Sequence, residues 1–199
     1  MRTDYIEPWL YDKIYHIMTY DNALALRVSL ETGLRIGDVL SLKPENIKGT
    51  VLHYTAQKTG KSGKKTISAD LARKLRKVAN DKWVFVGRDS DNHRTRQAVW
   101  KDVKRAAKIA GIEGNVACHS ARKTYAVNLF NARGLTAVQK ELQHDNTATT
   151  MLYAFSDSLS HKQDNKVDYN ALADMIAERV YTKLLPLFEQ CSIDNKSDL

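Results

Sequence analysis

Apolar residues recur at helical spacing along most of this chain, interrupted by one short stretch that reads as strands. Between Pro8 and Thr19, Trp9, Leu10, Ile14 and Ile17 fall near a period of 3.6 and predict a first helix. Asp21 or Asn22 can cap the next, which runs from Ala23 through Leu30 and stops at Gly33. Ile36 to Leu42 reads as a short helix ended by Pro44. Ile47 to Gln57, interrupted by Gly49-Thr50, then reads as a hairpin, and Lys64 to Ile67 returns as a third strand after a glycine-bearing turn. Helical spacing resumes in two basic segments, Asp70 to Asn80 and Thr95 to Ala110. Between them lie Val84-Phe85-Val86, a short strand or buried connector, and a polar loop over Gly87 to Arg94 that is expected to be mobile.

His119 to Arg133 predicts the longest helix of the middle, with Ala126, Leu129 and Phe130 inward and Gly134 as its stop. Thr136 to Leu142 and Thr147 to Ala154 are further helices. A polar run from Asp157 to Lys166 reads as a linker or surface loop. After it, Asp168 to Gln190 places Leu172, Met175, Ile176, Val180, Leu184 and Leu187 at helical spacing, kinked or ended near Pro186. The pattern predicts a mainly α fold with a small antiparallel β-sheet, in the α+β class. No run of about 18 apolar residues and no signal-like start is present, so neither membrane insertion nor export is expected.

Charge sharpens this picture. The chain of 199 residues carries 31 Lys and Arg against 23 Asp and Glu, a formal net charge of +8, which favours a polyanionic partner over neutral ones. Cys118 and Cys191 are too few for a disulfide framework, and a reducing cytoplasm is the simplest setting. Cys118 precedes His119, but neighbours at a helix start point about 100° apart, so adjacency makes no nucleophile and base pair. The histidines and cysteines lack zinc-ligand spacing, and no metal or cofactor is expected.

The chemistry concentrates between Cys118 and Tyr153. His119 and Arg122 stand one turn apart on one helix face, a second histidine follows at His144, and Tyr153 comes nine residues later. Upstream, Arg35 follows the Gly33 turn with Asp38 three residues on, and Lys58 sits beside the turn of the predicted hairpin. A phosphodiester under attack passes through a more highly charged phosphorane, and without a metal that charge must be met by fixed cations. Arginine suits this, being planar, always charged and able to grip two oxygens at once. His119 and His144 can add hydrogen bonds or proton transfer. Tyr153 can attack, although a phenol of pKa about 10 needs neighbouring cations or a base. Asp38 can orient His119 or an arginine. Taken singly each residue has a plain reading, a surface arginine or a packed tyrosine with a wet hydroxyl; their order over the chain is what points to chemistry.

In that order the residues closely resemble the tyrosine recombinase (phage integrase) family, over roughly residues 8 to 156. The resemblance implies the catalytic-domain fold of that family for residues 1–156, double-stranded DNA as substrate, a homotetramer on DNA, and no metal or nucleotide. It implies site-specific recombination in two transesterification steps, with Tyr153 forming a 3′-phosphotyrosyl bond and a free 5′-hydroxyl, then a partner strand's 5′-hydroxyl reversing the step. It assigns Arg35, His119, Arg122 and His144 to the phosphate and Lys58 to the proton of the leaving oxygen; Lys61, Lys64 and Lys65 compete for that last role. Gln143 stands where the family usually has a glycine. The N-terminal helical clamp of most members is not seen, as expected of either an excised catalytic domain or a short recombinase. Residues 157–199 are expected to form an arm exchanged between protomers, or else to fold back in cis. Two rivals share the constellation or the charge: a type IB topoisomerase or telomere resolvase, and a DNA-binding regulator without catalysis. Should Tyr153 not be the nucleophile, Tyr125 is the first alternative.

Overall fold

The computed structural model describes residues 3–142, six helices and a three-stranded sheet. Helix α1 spans Leu10–Ile17 and α2 spans Tyr20–Thr32. In α1 the buried positions are Tyr11 and Ile14, followed by Met18, while Trp9 is 60% exposed. The expected helix is therefore present with a shorter span and its inner stripe rotated, because periodicity fixes the spacing of a face but several phases satisfy it. Helix α2 is the central element. Asn22, Ala23, Leu24, Ala25 and Leu26 are all buried in succession, so this helix is enclosed on more than one side.

Neither Asp21 nor Asn22 caps α2. The cap position is Thr19, and its backbone N–H donates to Asp102 Oδ2 at 2.9 Å, a carboxylate supplied from 83 residues away. Asn22 donates to the same oxygen at 2.7 Å, and Arg105 grips the other. Burial pushes the Asp102 pKa up, but the bonds from Asn22, Arg105 and Thr19 outweigh it and hold the carboxyl below its usual range.

Gly33 ends α2 in the left-handed region, at φ 71°, and the chain turns through Leu34 into the short helix α3, Ile36–Leu40. A 3₁₀ turn at Pro44–Asn46 leads to the sheet, in which β1 (Ile47–Lys48), β2 (Val51–Thr55) and β3 (Ser62–Thr66) pair antiparallel in the order β1-β2-β3. The third strand begins two residues before the expected start, because Thr55 pairs with Ser62. Helix α4 (Ala69–Val78) is capped by Ser68, whose Oγ accepts from the Leu71 N–H. Helix α5 (Arg96–Ile109) is capped in the same way by Thr95.

Val84 and Phe85 form a fully buried connector, as one of the two sequence readings has it. The loop that follows is tied down instead of loose: Val86 and His93 form a β-bridge, Gly87 N–H donates to Asn92 O, and Arg94 reaches Asp21 and Asn22 on α2. Helix α6 covers Cys118–Leu142, broken at Gly134, where φ is 74°. One apolar core runs from Ile6 through α2, β2, α4 and α5 to Ala121, and a second small cluster of Ala126, Val138 and Leu142 sits with Tyr125, Leu129 and Phe130. Among the described residues no helix is long and apolar enough to cross a membrane.

Candidate active site

The Gly33 turn delivers Arg35 to the edge of a cleft of about 710 Å³. Two side chains brace that turn: Ser29 Oγ donates to the Leu34 carbonyl at 2.7 Å, and Thr32 Oγ1 accepts from the Leu34 N–H at 3.2 Å. Arg35 stands at the cap position of α3 with extended backbone, half-buried. Among the described residues its guanidinium makes no hydrogen bond or ion pair, which leaves its full donor set for a ligand.

Arg122 enters the same cleft from the first turns of α6 but is buried. Its Nη1 donates to the carbonyl of Gly33, the residue that turns the chain toward Arg35, and its Nη2 donates to the carbonyl of Leu142 at 3.0 Å. The second arginine is thus fixed to the turn that carries the first. His119 stands one helical turn earlier, at the exposed wall of the cleft. The desolvating walls around its ring, and then the positive charges of Arg122, Lys123 and Arg35, push its pKa down to about 4, so the imidazole is neutral at physiological pH. Beside it the Cys118 thiol is pushed up to about 11 by burial and stays protonated, which agrees with setting aside a thiolate nucleophile.

Lys58 lines the cleft from the turn between β2 and β3, exposed. Of its competitors, Lys61, Lys64 and Lys65 do not line it, and Lys65 is buried with its ammonium on Glu141. Asp38 does not hydrogen-bond to His119 or to an arginine as expected; its Oδ1 accepts from the backbone N–H of Gln57 at 2.9 Å, with the side chain buried. The carboxylate therefore anchors the residue next to Lys58, because α3 brings it within reach of the Gln57 N–H. The Gln57 side chain in turn lies close to Gly37, where an added Cβ would stand 3.3 Å from its Oε1. Tyr125, the alternative nucleophile, has its pKa pushed up to about 12, first by burial and then by Glu141, which disfavours its phenolate.

Three lining residues escaped the sequence reading. Arg96, Gln97 and Trp100 all lie in the first turns of α5, and Trp100 is 48% exposed. The signal was present as a threonine cap followed by Arg-Gln-x-x-Trp, whose spacing of three and four puts the side chains on one face. His144 and Tyr153 lie outside the described residues, as do the expected helices from Thr147 onward and the Asp157–Lys166 linker.

A model of the phage integrase family matches residues 5–159. This chain belongs to the phage integrase family. Among curated relatives, tyrosine recombinase XerD of Listeria monocytogenes serotype 4b (strain F2365) is 33% identical over 146 residues, 64% of this chain and 48% of the relative. XerD of Pseudomonas aeruginosa is 29% identical over 143 residues, again 64% of this chain and 47% of the relative. The chain thus spans about half the length of the curated relatives it matches. The fold is that of integrase catalytic domains. The bacteriophage HP1 integrase catalytic domain superimposes with a TM-score of 0.60 at 20% identity, covering 78% of this chain and 89% of that one. A lambda integrase dimer bound to a COC′ core site gives 0.69 at 20% identity, covering 84% of this chain and 51% of that one.

Proposed function

We propose that this phage integrase family chain is a site-specific DNA recombinase that cuts and rejoins strands through a 3′-phosphotyrosyl intermediate. The observation that carries this reading is the cleft itself: three segments far apart in sequence bring Arg35, Lys58, and the pair His119 and Arg122 to one surface, with a single carboxylate among the described lining residues, Asp38, that is occupied by the Gln57 N–H. Such a cleft suits a phosphodiester. In the proposed step the Tyr153 hydroxyl forms a bond to phosphorus, the bond to the 5′ oxygen breaks, and that oxygen takes a proton from Lys58. Arg35 and Arg122 hold the equatorial oxygens, with His144 beside them. His119, neutral in the free protein, can accept the tyrosine proton once the anionic phosphate offsets the cations that depress its pKa. A 5′-hydroxyl from a partner strand then reverses the step.

Double-stranded DNA is the proposed partner, with four copies assembling on it, in the cytoplasm. Arg96, Gln97 and Trp100 extend the cationic cleft and supply donors and an aromatic face for the duplex beside the scissile phosphate. The test is a nicked suicide substrate that traps the covalent adduct. Tyr153→Phe should abolish the adduct and leave noncovalent binding nearly intact, since only a hydroxyl is lost; an adduct on the Phe variant refutes the assignment. Cleavage should persist in EDTA, and loss that magnesium restores would refute a cation set made of side chains alone.

A further inference from the structure

Lys65 lies on β3, paired in register with Leu52 of β2, and its side chain is 7% exposed. A buried ammonium is costly unless it is well partnered. This one donates to the Glu141 carbonyl at 2.9 Å, forms an ion pair with the Glu141 carboxylate, and sits 5.6 Å from the centroid of the Tyr125 ring. The same ring abuts Gly33, where an added Cβ would lie 2.4 Å from Tyr125 Cδ1. The next carbonyl along the helix, that of Leu142, accepts from Arg122. Two successive carbonyls in the last described turn of α6 thus accept from two cations, Lys65 from the hairpin and Arg122 from the cleft.

We propose that Lys65 and Glu141 are positioning residues for Arg122, clipping the hairpin that carries Lys58 to the end of α6 so that Gly33 and Leu142 hold the guanidinium in register with the phosphate. This rests on the recombinase reading of the cleft. Neither residue lines the cleft, so their effect runs through the backbone that Arg122 uses. The clip also fixes the residue from which the chain continues toward His144.

The test uses the full chain and a nicked suicide DNA, with single-turnover adduct formation at saturating DNA, DNA affinity by gel shift, and thermal unfolding. Lys65→Met keeps the length of the side chain and removes its donors. It should slow adduct formation by about tenfold or more, as misplacement of a catalytic group does, with DNA affinity unchanged, and Lys65→Arg should recover most of the rate. A merely structural pair would lower the unfolding temperature and leave the saturated rate of the folded protein alone; that result overturns the proposal, as does a loss expressed only in DNA affinity. If Lys65→Met does not fold, Glu141→Gln, a partly exposed change of charge at constant shape, is read by the same criterion. No adduct from the unaltered chain refutes the recombinase reading and the inference with it, whereas an adduct formed at the unaltered rate by the variants refutes the inference alone.

Discussion

Arg35 and Arg122 carry the same charge in different surroundings, and their substitutions should differ accordingly. Arg35 is half-buried with its donors uncommitted among the described residues, so Arg35→Ala should lower adduct formation by about 10²–10³, the usual loss for one oxyanion donor, while stability moves by no more than about 0.5 kcal/mol. Arg122→Ala should lower cleavage as far and also destabilise by roughly 2–4 kcal/mol, because the Gly33 and Leu142 carbonyls lose their donors in a buried place. Urea unfolding of the two variants separates these outcomes; an Arg122→Ala protein as stable as the parent would show that the anchoring carbonyls find other partners. His119 supplies a pH signature. Its folded-state pKa, about 4, lies below the unfolded value of about 6.5. Between those values the unfolded chain binds a proton that the folded one refuses, so this group's contribution is fully present above about pH 6.5 and is lost as the pH falls toward 4. In the free protein the His119 ring resonances should not titrate between pH 6 and 8, and DNA should move the titration upward. A free-protein midpoint near the ordinary histidine value would contradict the desolvated, cation-flanked environment.

At the scale of elements, the turn at Gly33 and the turn of the hairpin both contain a left-handed glycine, yet only one is enclosed. Gly33→Ala meets both an unfavourable φ of 71° and the Tyr125 ring, and should cost roughly 2–4 kcal/mol from strain plus overpacking. Gly60→Ala, at φ 67° with nothing within 4 Å of the added methyl, should cost only about 1 kcal/mol. Equal costs in denaturant unfolding would mean that the ring yields, and with it the link from Arg122 to Arg35. These two glycines also mark what sequence could and could not disclose. Gly33 was readable as a helix stop ahead of Arg35, and the helices and sheet were readable because apolar spacing and turn residues are local. The partner of a turn is not local: nothing near Thr19 announces that Asp102 will cap α2, and nothing near Asp38 announces that its acceptor will serve Gln57. The same holds for the loop over Gly87 to Arg94, whose polar composition reads as loose while the bridge from Val86 to His93 and the reach of Arg94 to α2 hold it. Among the candidate residues, Arg35, Lys58, His119 and Arg122 were legible as an ordered set, and the structure brings them to one cleft. The α5 face of Arg96, Gln97 and Trp100 was not, because a basic helix reads the same whichever way it points.

For the whole molecule, a formal charge of +8 and a cleft lined by Arg35, Lys58, Arg96 and Arg122 predict affinity dominated by phosphate contacts. The logarithm of the binding constant should fall linearly with the logarithm of salt concentration, by about 0.9 for each phosphate neutralised, and Arg96→Ala should reduce that slope by about one. An unchanged slope would place Arg96 off the DNA. Recombination asks more than binding, since exchange between two duplexes requires several copies to act together, and the sequence offers one segment suited to joining them. The spacing of Leu172, Met175, Ile176, Val180, Leu184 and Leu187 within Asp168 to Gln190 predicts one apolar helical face, which follows a polar run of sequence from Asp157 to Lys166. The segment lies outside the described residues. Truncation after Ser156 decides between docking on a neighbour and folding back in cis. If the face docks on a neighbour, the shortened chain should remain folded, bind DNA and form the Tyr153 adduct, while losing multimers on DNA in gel shift and losing strand exchange between two duplexes. If the face completes its own domain, the shortened chain should aggregate or unfold at lower temperature, and the adduct should disappear with the fold.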